Sequence, residues 1–367
     1  VTEGPVTEGP VTEGPVTEGP VTEGPVTEGP GSVGCTAIEV PPFDGGGATT
    51  PSASAPTLSG FPQATFSAQS REFTNVPVAG NYRYDVLAYW PQESPPTRRP
   101  VVIFEHGFQL AASDFSRYGE VLAEHGFVAI LPSTKDSGGL IPSSRDHNLL
   151  ADDLSFVIDW VLSQGEDAAS PLRGRIDPCR IGAGGHSRGG KAAIWAAIND
   201  DRVLASWNLD PVDAPPQGPG GIAGTSPAVA PELMVGFTIP GFFVGTGLGP
   251  QGGGALSPAC APADENWSKF FESAAGPVSA FVLTQHGHND FVERCHGQSG
   301  GFIPNECTVC PAGEDEAWAV RFTSLHQVAF YKVYLEGDAT YRPWLDGEPV
   351  REMGGWVDDF QRRNAID

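Results

Sequence analysis

The sequence predicts an α/β fold, one large domain in which a mostly parallel sheet carries helices on both faces. Three observations lead there. Runs of strand length alternate with stretches of helical period. Several of the runs are apolar throughout, as expected of strands covered on both sides. One of them leads through Gly185-His186-Ser187-Arg188-Gly189 straight into an apolar helical stretch.

The chain has 367 residues, but the first thirty are six copies of V-T-E-G-P. A period of five with Pro and Gly in every unit buries no face, so it reads as an extended, solvated, acidic stalk. Residues 31–56 continue in Gly, Ser, Thr, Pro and Ala. Residues 1–56 are therefore assigned to a disordered low-complexity stalk or linker. Residues 57–367, about 310 positions, form the folded domain, which is enough for one large α/β unit. The formal net charge of -24 argues against nucleic acid as a partner and disfavours an anionic membrane surface. No run reaches the length of a membrane span. The chain starts at Val1, shows no signal peptide, and is expected to have lost an N-terminal segment. The repeats and the cysteines together point to a secreted, cell-surface or periplasmic location.

Residues 81–90 (N-Y-R-Y-D-V-L-A-Y-W) partly alternate and predict an antiparallel edge strand. Residues 100–105 (P-V-V-I-F-E) and 127–131 (F-V-A-I-L) predict covered strands, with a helix over 113–125 closed by Gly126. Leu149, Leu150, Leu154, Val157, Ile158, Val161 and Leu162 recur at helical spacing with Asp152, Asp153 and Asp159 between them, an amphipathic crossover helix. Residues 179–183 form the strand before Ser187, and residues 191–198 the helix after it. Strands follow over 203–209 and 240–245, a helix over 266–274, and a last strand over 278–284. Trp318, Phe322, Leu325 and Ala329 mark a final helix ending near Gly337.

Of the six cysteines, four fall late in the chain, which predicts disulfides and an oxidising compartment. Zinc is the alternative, since Cys295-His296 and Cys307-x-x-Cys310 supply four possible ligands, although their spacing fits no zinc-ribbon pattern. Cys179, beside the elbow strand, reads as a buried apolar thiol.

G-x-S-x-G between a strand and a buried helix is a nucleophile elbow. The sharp turn pushes the serine hydroxyl outward, and the two glycines let strand and helix approach closely. A serine hydroxyl needs a base, and the base needs an orienting acid. On such a sheet the chain order is serine, acid, histidine, so the base lies after Ser187. His286, His288, His296 and His326 qualify. His288 is preferred because it follows the last predicted strand and Gly287 permits the tight turn, with His286 next. His326 falls inside a helix and His296 in the cysteine-rich loop. Asp210 ends the strand over 203–209, with Pro211 stopping it, and is the favoured acid; Asp213, Asp264 and Glu265 are the alternatives. The oxyanion donors are expected to be the amides of Arg188, just after the nucleophile, and Phe108, in the His106-Gly107-Phe108 turn. His106 and His186 are read as supporting residues that pack and hydrogen-bond behind the site. Residues 214–238 form either a flap lined by Leu233, Met234, Val235 and Phe237 or a plain loop. Phe108, Trp207 and Phe291 are candidates for an apolar wall, which favours an apolar acyl or alkyl group as the small-molecule partner.

Several of these segments together resemble the chlorophyllase family of α/β-hydrolases. They are V-V-I-F-E-H-G-F at residues 101–108, E-H-G-F-V at 124–128, G-H-S-R-G-G-K at 185–191, L-D-P-V-D at 209–213, V-G-T-G-L-G at 244–249, P-A-C-A-P at 258–262 and G-H-N-D at 287–290. The resemblance runs over roughly residues 100–337, and its early part is shared with cutinase-like and acetylhydrolase-like enzymes. It implies an α/β-hydrolase fold, a Ser187-Asp210-His288 triad, no metal or organic cofactor, and cleavage of the phytol ester of chlorophyll. The stalk, the short spacer between elbow and aspartate, the cysteine-rich loop and the segment over 214–238 depart from the plant pattern. A secreted lipase, cutinase, polyester hydrolase or acetylhydrolase-like esterase is the alternative reading. A hydrolase-fold binding protein without chemistry is the third.

Overall fold

The computed structural model describes Cys35, Ile38 and residues 55–134, 145–214, 226–252, 259–298, 305 and 307–363. The stalk predicted over residues 1–56 lies almost wholly outside them, as do residues 215–225 of the predicted flap.

Strands β1 (Ala68–Pro77) and β2 (Arg83–Pro91) form an antiparallel pair. Then β3 (Arg99–Glu105), helix α1 (Ser116–Glu124), β4 (Val128–Ser133), α2 (His147–Glu166), β5 (Ile176–His186) and α3 (Arg188–Asn199) alternate. They are followed by β6 (Val203–Leu209), β7 (Gly241–Thr246), α4 (Trp267–Ser273), β8 (Val278–Leu283), α5 (Glu316–Glu336) and β9 (Val357–Arg363). Among the described residues the sheet has nine strands in the order β1-β2-β4-β3-β5-β6-β7-β8-β9. Strands β3 to β8 pair in parallel, while β2 on β4 and β9 on β8 are antiparallel. The central strands end at one edge, where loops form the ligand crevice of such sheets.

The sequence pattern explains the two layers. Side chains alternate across a strand, so Val102 and Phe104 of β3 join Trp207, Phe242 and Phe281 in a core beneath α1 and α5. Val101 and Ile103 instead join Ile181, Ala183 and Phe243 in a second core beneath α2, α3 and α4. Asn266 caps α4 through its side chain, which accepts from the Ser268 amide at 3.1 Å. Gly337 closes α5 in the left-handed conformation at φ 71°.

The structure departs from several of these expectations. The last strand is β9, not β8, and β1 precedes the strand predicted to begin the sheet. Cys179 is not a free thiol but is bridged to Cys35. The zinc alternative fails because Cys295 pairs with Cys307 and Cys260 with Cys310, and no described residues cluster to hold a metal. Met234 and Phe237 line no flap. They are buried in the core under α3 and α4, leaving Leu233 and Val235 exposed. Trp207 and Phe291 are fully buried as well and form no wall of a crevice.

Candidate active site

Ser187 sits between β5 and α3 at φ 56° and ψ -124°. A non-glycine residue at positive φ is strained, and such strain gathers at functional turns. From Ile181 to Ile194 it is the one residue that is not buried. The flanking glycines are steric necessities. A Cβ at Gly189 would lie 2.2 Å from the Glu105 carbonyl oxygen, and one at Gly185 2.4 Å from the Gly189 backbone.

The Ser187 amide donates to the Leu209 carbonyl at 2.9 Å, which sets the end of β6 beside the elbow. Asp210 follows, fully buried, with its own amide on the Val244 carbonyl at 2.6 Å. Its Oδ2 accepts from the Thr246 hydroxyl at 2.6 Å and from Nδ1 of His288 at 2.8 Å. A carboxylate can only accept, so His288 carries its proton on Nδ1 and presents Nε2 as the basic nitrogen. That is the tautomer a general base for a serine needs.

The His288 loop is held from two sides. Asp290 accepts from the Gly287 amide at 2.7 Å and from the Gly313 amide at 2.9 Å, while burial pushes its carboxyl up to about 6. On the other side, Nε2 of His186 donates to the His288 carbonyl at 2.8 Å, which brings the loop to the residue next to Ser187. The Cys260–Cys310 bridge ties this region to the loop after β7.

The His106-Gly107-Phe108 turn abuts the serine, since a Cβ at Gly107 would stand 3.3 Å from the Ser187 Cβ. The Arg188 amide belongs to the first turn of α3, where backbone N–H groups point out of the helix end. Its guanidinium turns inward, donating to the Thr134 hydroxyl at 3.0 Å and lying 5.7 Å from the Phe108 ring centre. The Thr134 amide donates to Nε2 of His106 at 2.9 Å, leaving Nδ1–H of His106 for the Gly107 carbonyl at 2.7 Å. His106 therefore stiffens the turn from behind.

The alternatives fall elsewhere. Asp213 is buried against Lys191 at 3.1 Å and Lys269 at 3.0 Å, and its oxygens accept the Val229 and Ala230 amides. Glu265 pairs with Lys269 at 2.7 Å, and Asp264 is exposed. His286 is buried against the Trp318 and Trp356 rings, and burial lowers its pKa to about 4. His326 accepts from Nε1 of Trp207 at 3.0 Å and donates to the Leu345 carbonyl. His296 contacts the Asp290 carbonyl at 3.1 Å. The structure thus pairs Asp210 with His288, sets the 106–108 turn against the Ser187 elbow, and leaves the other candidates in other contacts. Two partners had no sequence signal that singled them out, Thr246 and Thr134. The V-G-T-G-L-G segment contains Thr246, but only the fold shows its hydroxyl reaching Asp210.

A serine at a strained strand-to-helix turn on a mostly parallel sheet, with an Asp–His pair at the same edge, defines an α/β-hydrolase. The chain belongs to the chlorophyllase family, whose model matches residues 81–346. It is 31% identical over 248 residues to chlorophyllase-2 of Arabidopsis thaliana, covering 65% of this chain and 74% of that protein. It is also 32% identical over 127 residues to a bis(hydroxyethyl) terephthalate hydrolase of Streptomyces coelicolor, 33% of this chain and 37% of that one. A cutinase of Thermobifida alba is 31% identical over 123 residues, 34% of this chain and 38% of its own. The family and these similarities together support a carboxylester hydrolase. No helix among the described residues is long and apolar enough to cross a membrane.

Proposed function

We propose that this protein is a serine carboxylester hydrolase that cleaves an ester of an apolar alcohol or acid through an acyl-enzyme. Ser187 Oγ attacks the ester carbonyl while His288 Nε2 takes its proton. The amides of Phe108 and Arg188 hold the oxyanion, and Asp210 holds the imidazolium in register. His288 then returns the proton to the leaving alcohol oxygen. Water, deprotonated by the same nitrogen, attacks the acyl-enzyme and frees the acid and Ser187. The observation that carries the reading is the 2.8 Å contact between Nδ1 of His288 and buried Asp210, beside a serine at φ 56°.

Turnover of a short-chain nitrophenyl ester tests the reading. Ser187→Ala is expected to lower kcat by about three orders of magnitude or more and to abolish labelling by a fluorophosphonate. Wild-type turnover in that variant would end it. Family membership supports the phytol ester of chlorophyll as the substrate. A secreted polyester or lipid esterase is the second reading, favoured by the three disulfides and by the terephthalate-ester hydrolase and cutinase among the relatives. Turnover of chlorophyll a measured beside a triglyceride and a polyester film separates the two. The acidic repeats support residues 1–56 as a solvated stalk carrying a catalytic domain.

A further inference from the structure

His186 is the variable residue just before the serine in G-x-S-x-G, and it is fully buried. It is the last residue of β5, so its backbone is fixed by pairing with β6, where it lies opposite Leu209. A carbonyl can only accept, so the 2.8 Å contact with the His288 carbonyl fixes the proton of His186 on Nε2. The opposite nitrogen, Nδ1, faces the oxyanion turn. A Cβ added at Gly107 would come within 2.8 Å of it. The His186 and His288 rings stand 4.6 Å apart, and Phe115 and Phe291 pack the His186 ring at 5.5 and 5.9 Å. Burial holds its pKa well below the ordinary histidine value, so it stays neutral beside His288 when that ring takes up a proton.

We propose that His186 is a positioning residue, one ring that sets the spacing between the oxyanion turn at Gly107 and the imidazole of His288. It rests on the serine-hydrolase reading above. It touches no substrate and acts through the His288 main chain. A rigid strand residue is suited to this, because catalytic groups must be held within fractions of an ångström. The hydrogen bond and the ring volume are separable contributions, and the effect on turnover comes from the bond.

The test compares His186→Phe, which keeps a packed ring but cannot donate, with His186→Gln, whose amide can donate to the same carbonyl. On a nitrophenyl ester, His186→Phe is expected to lower kcat by about tenfold to a hundredfold with KM within about twofold, as misplacement of a reacting group does. His186→Gln is expected to recover most of that loss. A purely structural role would lower the melting temperature of both variants and the kcat of both alike, and that result overturns the proposal. So does wild-type kcat in His186→Phe, or a loss confined to KM. If His186→Phe does not accumulate as folded protein, His186→Met fills the site without donating and is held to the same outcomes. Ser187→Ala is measured alongside. Turnover surviving there removes the hydrolase reading and this inference with it. Silent Ser187→Ala beside a fully active His186→Phe removes this inference alone.

Discussion

Oδ2 of Asp210 accepts two hydrogen bonds at once, from Nδ1 of His288 at 2.8 Å and from the Thr246 hydroxyl at 2.6 Å. The second bond fixes the carboxylate plane, so that the first points the imidazole along one direction. Thr246→Val removes the donor at nearly constant volume. It is expected to lower kcat by about tenfold, the size of one hydrogen bond to a charged group at roughly 1.5 kcal/mol, with KM little changed. Steady-state kinetics on a nitrophenyl ester measure it, and unchanged kcat would show that the carboxylate is oriented without Thr246.

Asp210 and Asp213 lie three residues apart and should fail in different ways. Asp210→Asn is expected to lower kcat by about four orders of magnitude with the fold intact. Asp213→Asn leaves the buried Lys191 ammonium, which burial already disfavours, without its carboxylate. It is expected to lose about 3 kcal/mol of stability or more. Urea unfolding beside kinetics distinguishes the two, and a stable Asp213→Asn with abolished turnover would reverse the assignment.

Asp290 gives a pH dependence of stability whose sign follows from burial. Its folded carboxyl titrates at about 6, against about 3.9 in an unfolded chain. The folded state therefore holds a proton that the unfolded state has released. The resulting stabilisation is fully present below about pH 3.9 and is lost as pH rises through 6. Asp290→Asn has no carboxyl to titrate and lacks this stabilisation. Relative to the variant, the wild type is expected to lose on the order of 2–3 kcal/mol between about pH 4 and about pH 7. Urea titrations at the two pH values measure the difference, and a constant difference would refute it.

The Cys260–Cys310 bridge closes a loop with a sequence separation of 50. Replacing both cysteines by serine is expected to cost up to about 4 kcal/mol by loop-entropy arguments. Turnover should fall too, because Cys310 begins the strap that reaches Gly313 and Asp290 behind His288. Unfolding and kinetics of the double variant test both parts. Full activity with lowered stability would confine the bridge to a structural role.

What the sequence disclosed and withheld follows from the range of each signal. The elbow at Ser187, the strand end at Asp210 and the turn over 106–108 were legible as positions in the fold, because a strand end, a glycine turn and a helix start are local patterns. The central strands were legible because burial on both faces makes them apolar throughout. The strand β1 was not, because most of its side chains are exposed and its pattern is polar. The edge strand β9 hides its ladder role behind Asp358, Asp359, Arg362 and Arg363. Cys179 misled because its partner stands 144 positions away. His286 and His288 sit two residues apart in one loop, and Gly287 is the one local signal between them. Only Trp318 and Trp356, brought in from later in the chain, show that the first of them is enclosed by aromatic rings.

The backbone of Ser187 has a further consequence. At φ 56° a glycine would rest there without the roughly 1–3 kcal/mol that a side chain in such a region costs. Strain at this turn is therefore relieved in a form of the polypeptide that has given up its hydroxyl. A laboratory selection for heat resistance alone, with no demand for turnover, would push position 187 toward inert glycine.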